Sequence, residues 1–251
     1  MNEQSSTVLT ETDGTVTRIT LNRPDKLNAF SAELVEEAFS AFETAESNGI
    51  RLVVFQGAGK GFSGGFDLGG LQDMTDGDLL LRFVRVEQFL QRVYHSRIAT
   101  LALVHGLCYG AAAELVAACQ WRFATAEARF RMPGPRFGIV LGTQRLANLI
   151  GEDAARQCVL RDAPFGAPEA HSLGYINGIH ETADWPETTK KVLSQVTPLD
   201  AETYAKLSAR QRTDTCNADL AALIHSVTRG SVKARVHAYL DQMAAERKAR
   251  A

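Results

Sequence analysis

Thr100-Leu101-Ala102-Leu103-Val104-His105-Gly106, followed after three residues by Gly110-Ala111-Ala112-Ala113-Glu114-Leu115, is the stretch on which the fold turns. Its first five residues form a run short enough for a strand buried on both faces. A glycine-bounded turn then opens into small residues that begin a helix. Strand, glycine turn and helix in that order is the unit of an α/β architecture.

The same unit stands upstream. Leu52 to Phe55 is wholly apolar, is entered from Arg51, and empties into Gly57-Ala58-Gly59-Lys60-Gly61, with Gly64, Gly65, Gly69 and Gly70 close behind. Before it, Val16 to Leu21 alternates as a strand and runs into the turn signal Asn22-Arg23-Pro24-Asp25. Ser31 reads as an N-cap with Glu33 in the first turn, ahead of Leu34, Ala38, Phe42 and Ala45 at helical spacing. Between the two buried strands, Leu79, Leu80, Phe83, Val86, Leu90 and Val93 predict a helix of several turns. From Gly142 onward the pattern is mainly helical, and residues 232–251 form a basic amphipathic helix with Val236, Tyr239, Leu240 and Met243 on one face. No linker, repeat or low-complexity tract divides the chain.

The chain of 251 residues, 45% hydrophobic and 22% charged, suffices for one large domain or a core with an appendage. A formal net charge of -2 gives no broad cationic surface for nucleic acid. The apolar segment Ala111 to Cys119 is too short to span a bilayer and is broken by Glu114. Met1 to Ser6 lacks the basic-then-apolar order of a secretory leader, so a cytoplasmic location is expected. Cys108, Cys119, Cys158 and Cys216 have neither paired nor metal-type spacing and read as free thiols; no metal site is expected.

The two glycine-rich turns suit the display of main-chain N–H groups. The first amides of a helix have no internal partner, and the helix dipole adds positive character there. One donor from Phe66, within Ser63-Gly64-Gly65-Phe66-Asp67, and one from Ala111, within Gly110-Ala111-Ala112, can converge on a single carbonyl oxygen. Glu114 lies one turn into an apolar segment, where a carboxylate is costly to bury. It reads either as an acid/base of raised pKa or as a first-turn acid facing solvent.

Five motifs in order resemble the crotonase (enoyl-CoA hydratase/isomerase) superfamily. They are Asn22 to Phe30, Phe62 to Leu68, Gly106 to Leu115 with Cys119, Arg122 and Ala124, Gly142 to Leu146 with Ile150-Gly151, and Ala167 to Asn177. The resemblance implies a spiral of ββα units over residues 1–195. A C-terminal helical region, 196–251, would pack into homotrimers, often paired as hexamers. It implies a CoA thioester substrate with no separate cofactor and an oxyanion hole from the N–H groups of Phe66 and Ala111. Glu114 would be the acid/base, and Lys26, Leu27, Gly64, Asp67, Leu68 and Gly110 would surround the CoA ester. The expected activity is that of an enoyl-CoA hydratase-like lyase. The alternatives are another reaction of the family (isomerisation, decarboxylation, C–C or thioester hydrolysis) or an acyl-CoA-binding homologue without catalysis.

The chain departs from the pattern at the second acid of the hydratases, which follows the proline matching Pro133; Gly134 stands there. The turn before Gly142 is shortened, and Arg136 lies beside it, either as an anion contact or as a solvated side chain. His105 and Tyr109 read as packing or backbone-bonded groups before they read as proton relays. Asp67 reads as orienting its loop. Arg247, Lys248 and Arg250 are either phosphate contacts or a solvated tail.

Overall fold

A computed structural model describes residues 6–161 and 163–250, less the side chains of Arg247, Ala249 and Arg250. The leader reading at residues 1–5, and the phosphate contacts of Arg247 and Arg250, lie outside the described parts. The strands are β1 (Val8–Asp13), β2 (Val16–Leu21), β3 (Leu52–Gly57), β4 (Ala99–Val104), β5 (Leu107–Tyr109), β6 (Trp121–Ala124), β7 (Arg129–Arg131), β8 (Phe165–Gly166) and β9 (Gly178–Ile179). The helices are α1 (Ala32–Ser47), α2 (Asp76–Tyr94), α3 (Ala111–Ala118), α4 (Thr143–Ile150), α5 (Glu152–Leu160), α6 (Ala167–Ser172), α7 (Trp185–Val196), α8 (Ala201–Arg210), α9 (Cys216–Thr228) and α10 (Val232–Arg250).

The larger sheet has the order β1-β2-β3-β4-β6-β9, and only its β1–β2 pair is antiparallel. β3 and β4 are apolar because both faces are covered: their side chains are shared between the main core with α1 to α3 and a second cluster closed by Val192 and Val196 of α7. The smaller sheet, β5-β7-β8, runs beside the first. The step between sheets is the bend at Gly106, whose φ is 56° and where a Cβ would stand 2.3 Å from the Lys60 carbonyl. This gives the expected crotonase-type α/β fold.

Local signals act where the sequence puts them. The Ser31 hydroxyl accepts from Leu34 N–H and starts α1. Thr75 and Asp78 form a capping box that starts α2. α9 and α10 close a third apolar cluster, in which Leu223, Val227, Val232 and Val236 meet Leu79, Phe83, Phe137 and Ile139. β1 is not evident in the sequence because, apart from Val8, its residues are exposed on a sheet edge. Cys108, Cys119 and Cys158 are buried free thiols, and Cys216 is half-buried. Among the described residues no helix is long and apolar enough to cross a membrane.

Asn28 ties the first turn to the glycine loop. It is fully buried with φ 50°, its Oδ1 accepts Arg23 N–H at 2.8 Å, and its Nδ2 donates to the carbonyls of Ala58, Gly61 and Phe62. Replacing Asn28 with Ala strands these groups and puts a less tolerant residue in the left-handed region. The variant is expected to lose about 2–4 kcal/mol in urea unfolding. An unfolding midpoint within experimental error of the wild type would refute this role.

Candidate active site

The site forms where the chain after β3 crosses the chain after β5. Phe30 N–H donates to the Gly65 carbonyl at 2.7 Å, and Asp67 N–H donates to the Phe30 carbonyl at 3.2 Å. This parallel bridge uses the residues flanking Phe66 and leaves the Phe66 N–H without a partner among the described residues. Gly65 has φ 88°, and a Cβ there would stand 2.3 Å from the Tyr109 carbonyl and 3.4 Å from the Ala111 nitrogen. Only glycine lets the two loops lie this close.

On the second loop Gly110 has φ 52° and ψ -124°, and its N–H is tied to the Arg131 carbonyl at 2.8 Å. Ala111 follows as the first residue of α3, so its N–H has no intrahelical acceptor, and the helix N-terminus adds positive character. Phe66, Ala111 and Glu114 line one cavity of about 170 Å³, together with Gly64, Leu68 and Gly110. Two amides and a carboxyl on such a wall can stabilise an oxyanion and move a proton beside it.

The rest of the cavity is largely apolar. Phe66 stacks on Phe83 of α2 with ring centroids 4.2 Å apart, and the Arg82 guanidinium lies over the Phe66 ring at 4.4 Å. Phe137, Ile139, Leu141 and Val159 form a second wall, and Tyr239 reaches in from α10.

The Glu114 carboxyl is buried, not on a solvent-facing stripe, and its Oε2 has no hydrogen-bond partner among the described residues. Burial pushes its pKa up to about 8; the nearby Arg145 opposes that, while Glu87 and Asp219 add to it. Gly142 makes room for this carboxyl: with φ 65°, a Cβ there would stand 1.9 Å from Oε2.

Lys26, Leu27 and Asp67 lie outside the cavity lining. Lys26 is exposed, and Leu27 has φ 50° and accepts from Gly64 N–H at 2.8 Å, so both border the first loop. Burial of Asp67 works against its charge, but the Gly69 N–H and Arg23 outweigh it and hold the carboxyl below its ordinary range. With Arg23 at 2.8 Å, Asp67 ties the loop back to the first turn.

Arg136 is exposed, donates to the Leu160 carbonyl, and does not line the cavity. The ring of His105 bonds to the Gly59 carbonyl, also away from the cavity. Tyr109 lines it, and burial pushes its phenol up. Lys248 is exposed. Sequence reasoning missed Arg82, which donates to the carbonyls of Phe30 and Asp67, and Glu87, which lies among the apolar positions of α2. The position of Glu87 in that pattern was the available signal.

Residues 11–245 match the profile of the enoyl-CoA hydratase/isomerase family. The chain is 28% identical over 226 residues to the short-chain-enoyl-CoA hydratase of Clostridium acetobutylicum, covering 87% of this chain and 86% of that protein. It is 27% identical over 184 residues to the mitochondrial Delta(3,5)-Delta(2,4)-dienoyl-CoA isomerase of Dictyostelium discoideum, covering 67% of this chain and 63% of that one. It superposes with a TM-score of 0.92 on the crystal structure of a Bordetella parapertussis protein provisionally assigned as an enoyl-CoA hydratase/isomerase. The two chains are 43% identical, and the match covers 94% of this chain and 99% of that one.

The raised pKa of Glu114 couples the site to stability. The folded state keeps the proton to about pH 8, whereas the ordinary carboxyl releases it near 4.5. Stability is therefore highest below the lower value and falls as pH rises to the upper one. Glu114→Gln is expected to abolish this slope and to exceed the wild type at pH 8 by on the order of 3–5 kcal/mol. Urea unfolding from pH 5 to 9 checks it; parallel curves for the two proteins would contradict it.

Proposed function

The chain belongs to the enoyl-CoA hydratase/isomerase family, and from that premise we propose that it adds water across the 2,3-double bond of an enoyl-CoA thioester. The observation that carries this reading is a buried carboxyl, Glu114, lining the same cavity as Phe66 and Ala111, whose N–H groups have no partner among the described residues. In this reading the thioester oxygen accepts from both amides, each worth about 2.7–4 kcal/mol as negative charge develops.

Water attacks the β-carbon as its proton passes to the Glu114 carboxylate, and the double-bond electrons move into the thioester as an enolate. The same carboxyl then returns the proton to the α-carbon, which restores the thioester and the carboxylate. One acid suffices, in keeping with Gly134 at the position of the second. No cofactor enters. Lys26, Leu27, Gly64, Asp67, Leu68 and Gly110 would hold the CoA ester around this centre.

A cavity of about 170 Å³ is close to the roughly 150 Å³ that accommodates benzene, which favours acyl groups of roughly four to six carbons. The reading extends to a homotrimer or hexamer, which light scattering tests. A second reading, double-bond migration, is favoured by the similarity to a dienoyl-CoA isomerase. There Glu114 would take a proton from one carbon and return it to another.

Loss of the conjugated-thioester absorbance of crotonyl-CoA measures the proposed reaction. Glu114→Gln is expected to slow it by about 10²–10⁴-fold. Because the carboxylate receives the proton of water, kcat/KM should rise with pH up to about 8. Binding of crotonyl-CoA without turnover would reject hydration of this ester, and conversion of a 3-enoyl-CoA to its conjugated isomer would then establish the second reading.

A further inference from the structure

Beneath Glu114 lies a charged cluster that none of these steps uses. Arg145, at the start of α4, is 1% exposed and donates through Nη1 and Nη2 to both carboxyl oxygens of Glu87, at 2.6 and 2.7 Å. Asp219 of α9 places a second carboxylate 3.6 Å from Nη1. One guanidinium therefore answers two acids before Glu114 is counted.

Arg145 forms no direct ion pair with Glu114. Glu114 Oε2 and Arg145 Nη2 border the same missing side chain, 1.9 and 3.1 Å from where a Cβ of Gly142 would stand. The guanidinium is near enough to act through its field, yet both of its terminal nitrogens are bonded to Glu87.

We propose that Glu87 and Asp219 are positioning residues that hold the proton on Glu114, Glu87 in part through its grip on Arg145. Glu87 keeps the guanidinium turned from the reacting carboxyl, and the surplus negative charge of Asp219 opposes its ionisation. This deepens the hydration reading and rests on Glu114 as the acting group.

The other ionisable groups around Glu114 do not supply this effect. Tyr175 donates its hydroxyl to the Ala113 carbonyl, and burial holds its phenol well above the ordinary value. Tyr109 and Arg131 line the same cavity; burial pushes the tyrosine up, and arginine keeps its charge in proteins. Cys119, just after the same helix, is pushed up to about 12 by burial. His95, at the end of α2, is held below its ordinary value by burial and is neutral where Glu114 titrates.

The sign follows from the charges. Removing a negative neighbour favours the Glu114 carboxylate and lowers the midpoint of its titration. Asp219→Asn is nearly isosteric, and its amide oxygen can still accept from the Thr215 hydroxyl. It is expected to lower the Glu114 midpoint by about one pH unit. Glu87→Gln also releases Arg145 toward Glu114 and should lower it further.

The carboxyl C=O stretch, taken as the infrared difference between each protein and its Glu114→Gln counterpart from pH 5 to 10, reads the midpoint without turnover. The pH limb of kcat/KM for crotonyl-CoA reads it again. An infrared midpoint that falls while crotonyl-CoA is left untouched keeps the cluster and rejects hydration. An unmoved midpoint in folded Asp219→Asn overturns the cluster, and that variant decides the matter if Glu87→Gln does not fold.

Discussion

Main chain lies on main chain with no side chain between, and the geometry of the site follows from that contact. Phe62 and Ser63 N–H donate to the carbonyls of His105 and Leu107, and Tyr109 N–H donates back to Ser63. Hypothetical Cβ atoms at Gly61, Gly65 and Gly106 would stand 2.9, 2.3 and 2.3 Å from backbone atoms of the opposing segment. At such distances a neighbour cannot rotate away as a side-chain tip can. The glycines therefore set the separation of the loops, and that separation brings Phe66 and Ala111, whose amides have no partner among the described residues, to one cavity.

The site sets two acids in opposite electrostatic conditions. Asp67, partly open to solvent and paired with Arg23, is stabilised as a carboxylate and fastens the loop. Glu114 is buried, its Oε2 has no hydrogen-bond partner among the described residues, and both terminal nitrogens of the nearby Arg145 are already taken by Glu87. Such an arrangement works against stability once the carboxyl ionises. A buried acid that keeps its proton to near pH 8 is suited to proton transfer and poorly suited to holding a fold together.

The parts of this design visible in the sequence are those with a local signature. β2, β3 and β4, the start of α1 and the face of α2 all follow from short-range pattern. The glycine loops and the isolated Glu114 marked the site for the same reason, since glycine density and an acid among alanines are one-dimensional signals. The smaller sheet was invisible because its strands have two or three residues, too few for a period to register. The room that Gly142 leaves for Glu114 was not legible, because the atom that excludes a side chain there lies far back in the chain. The Glu87–Arg145 pair is likewise a tertiary fact: an acid among the apolar positions of α2 marks Glu87 as odd but does not say that its partner comes from α4.

Tyr239 gives the cavity a history as well as a wall. Its ring meets Phe137 at 5.2 Å and borders the same space as Phe66 and Ala111. During synthesis the glycine loops and α3 leave the ribosome well before α10, and domains fold as the chain emerges. A nascent chain can thus assemble the two amides and the carboxyl while one side of the chamber still lies open. Closure waits for α10, which brings Tyr239 to the chamber wall long after the glycine loops have met.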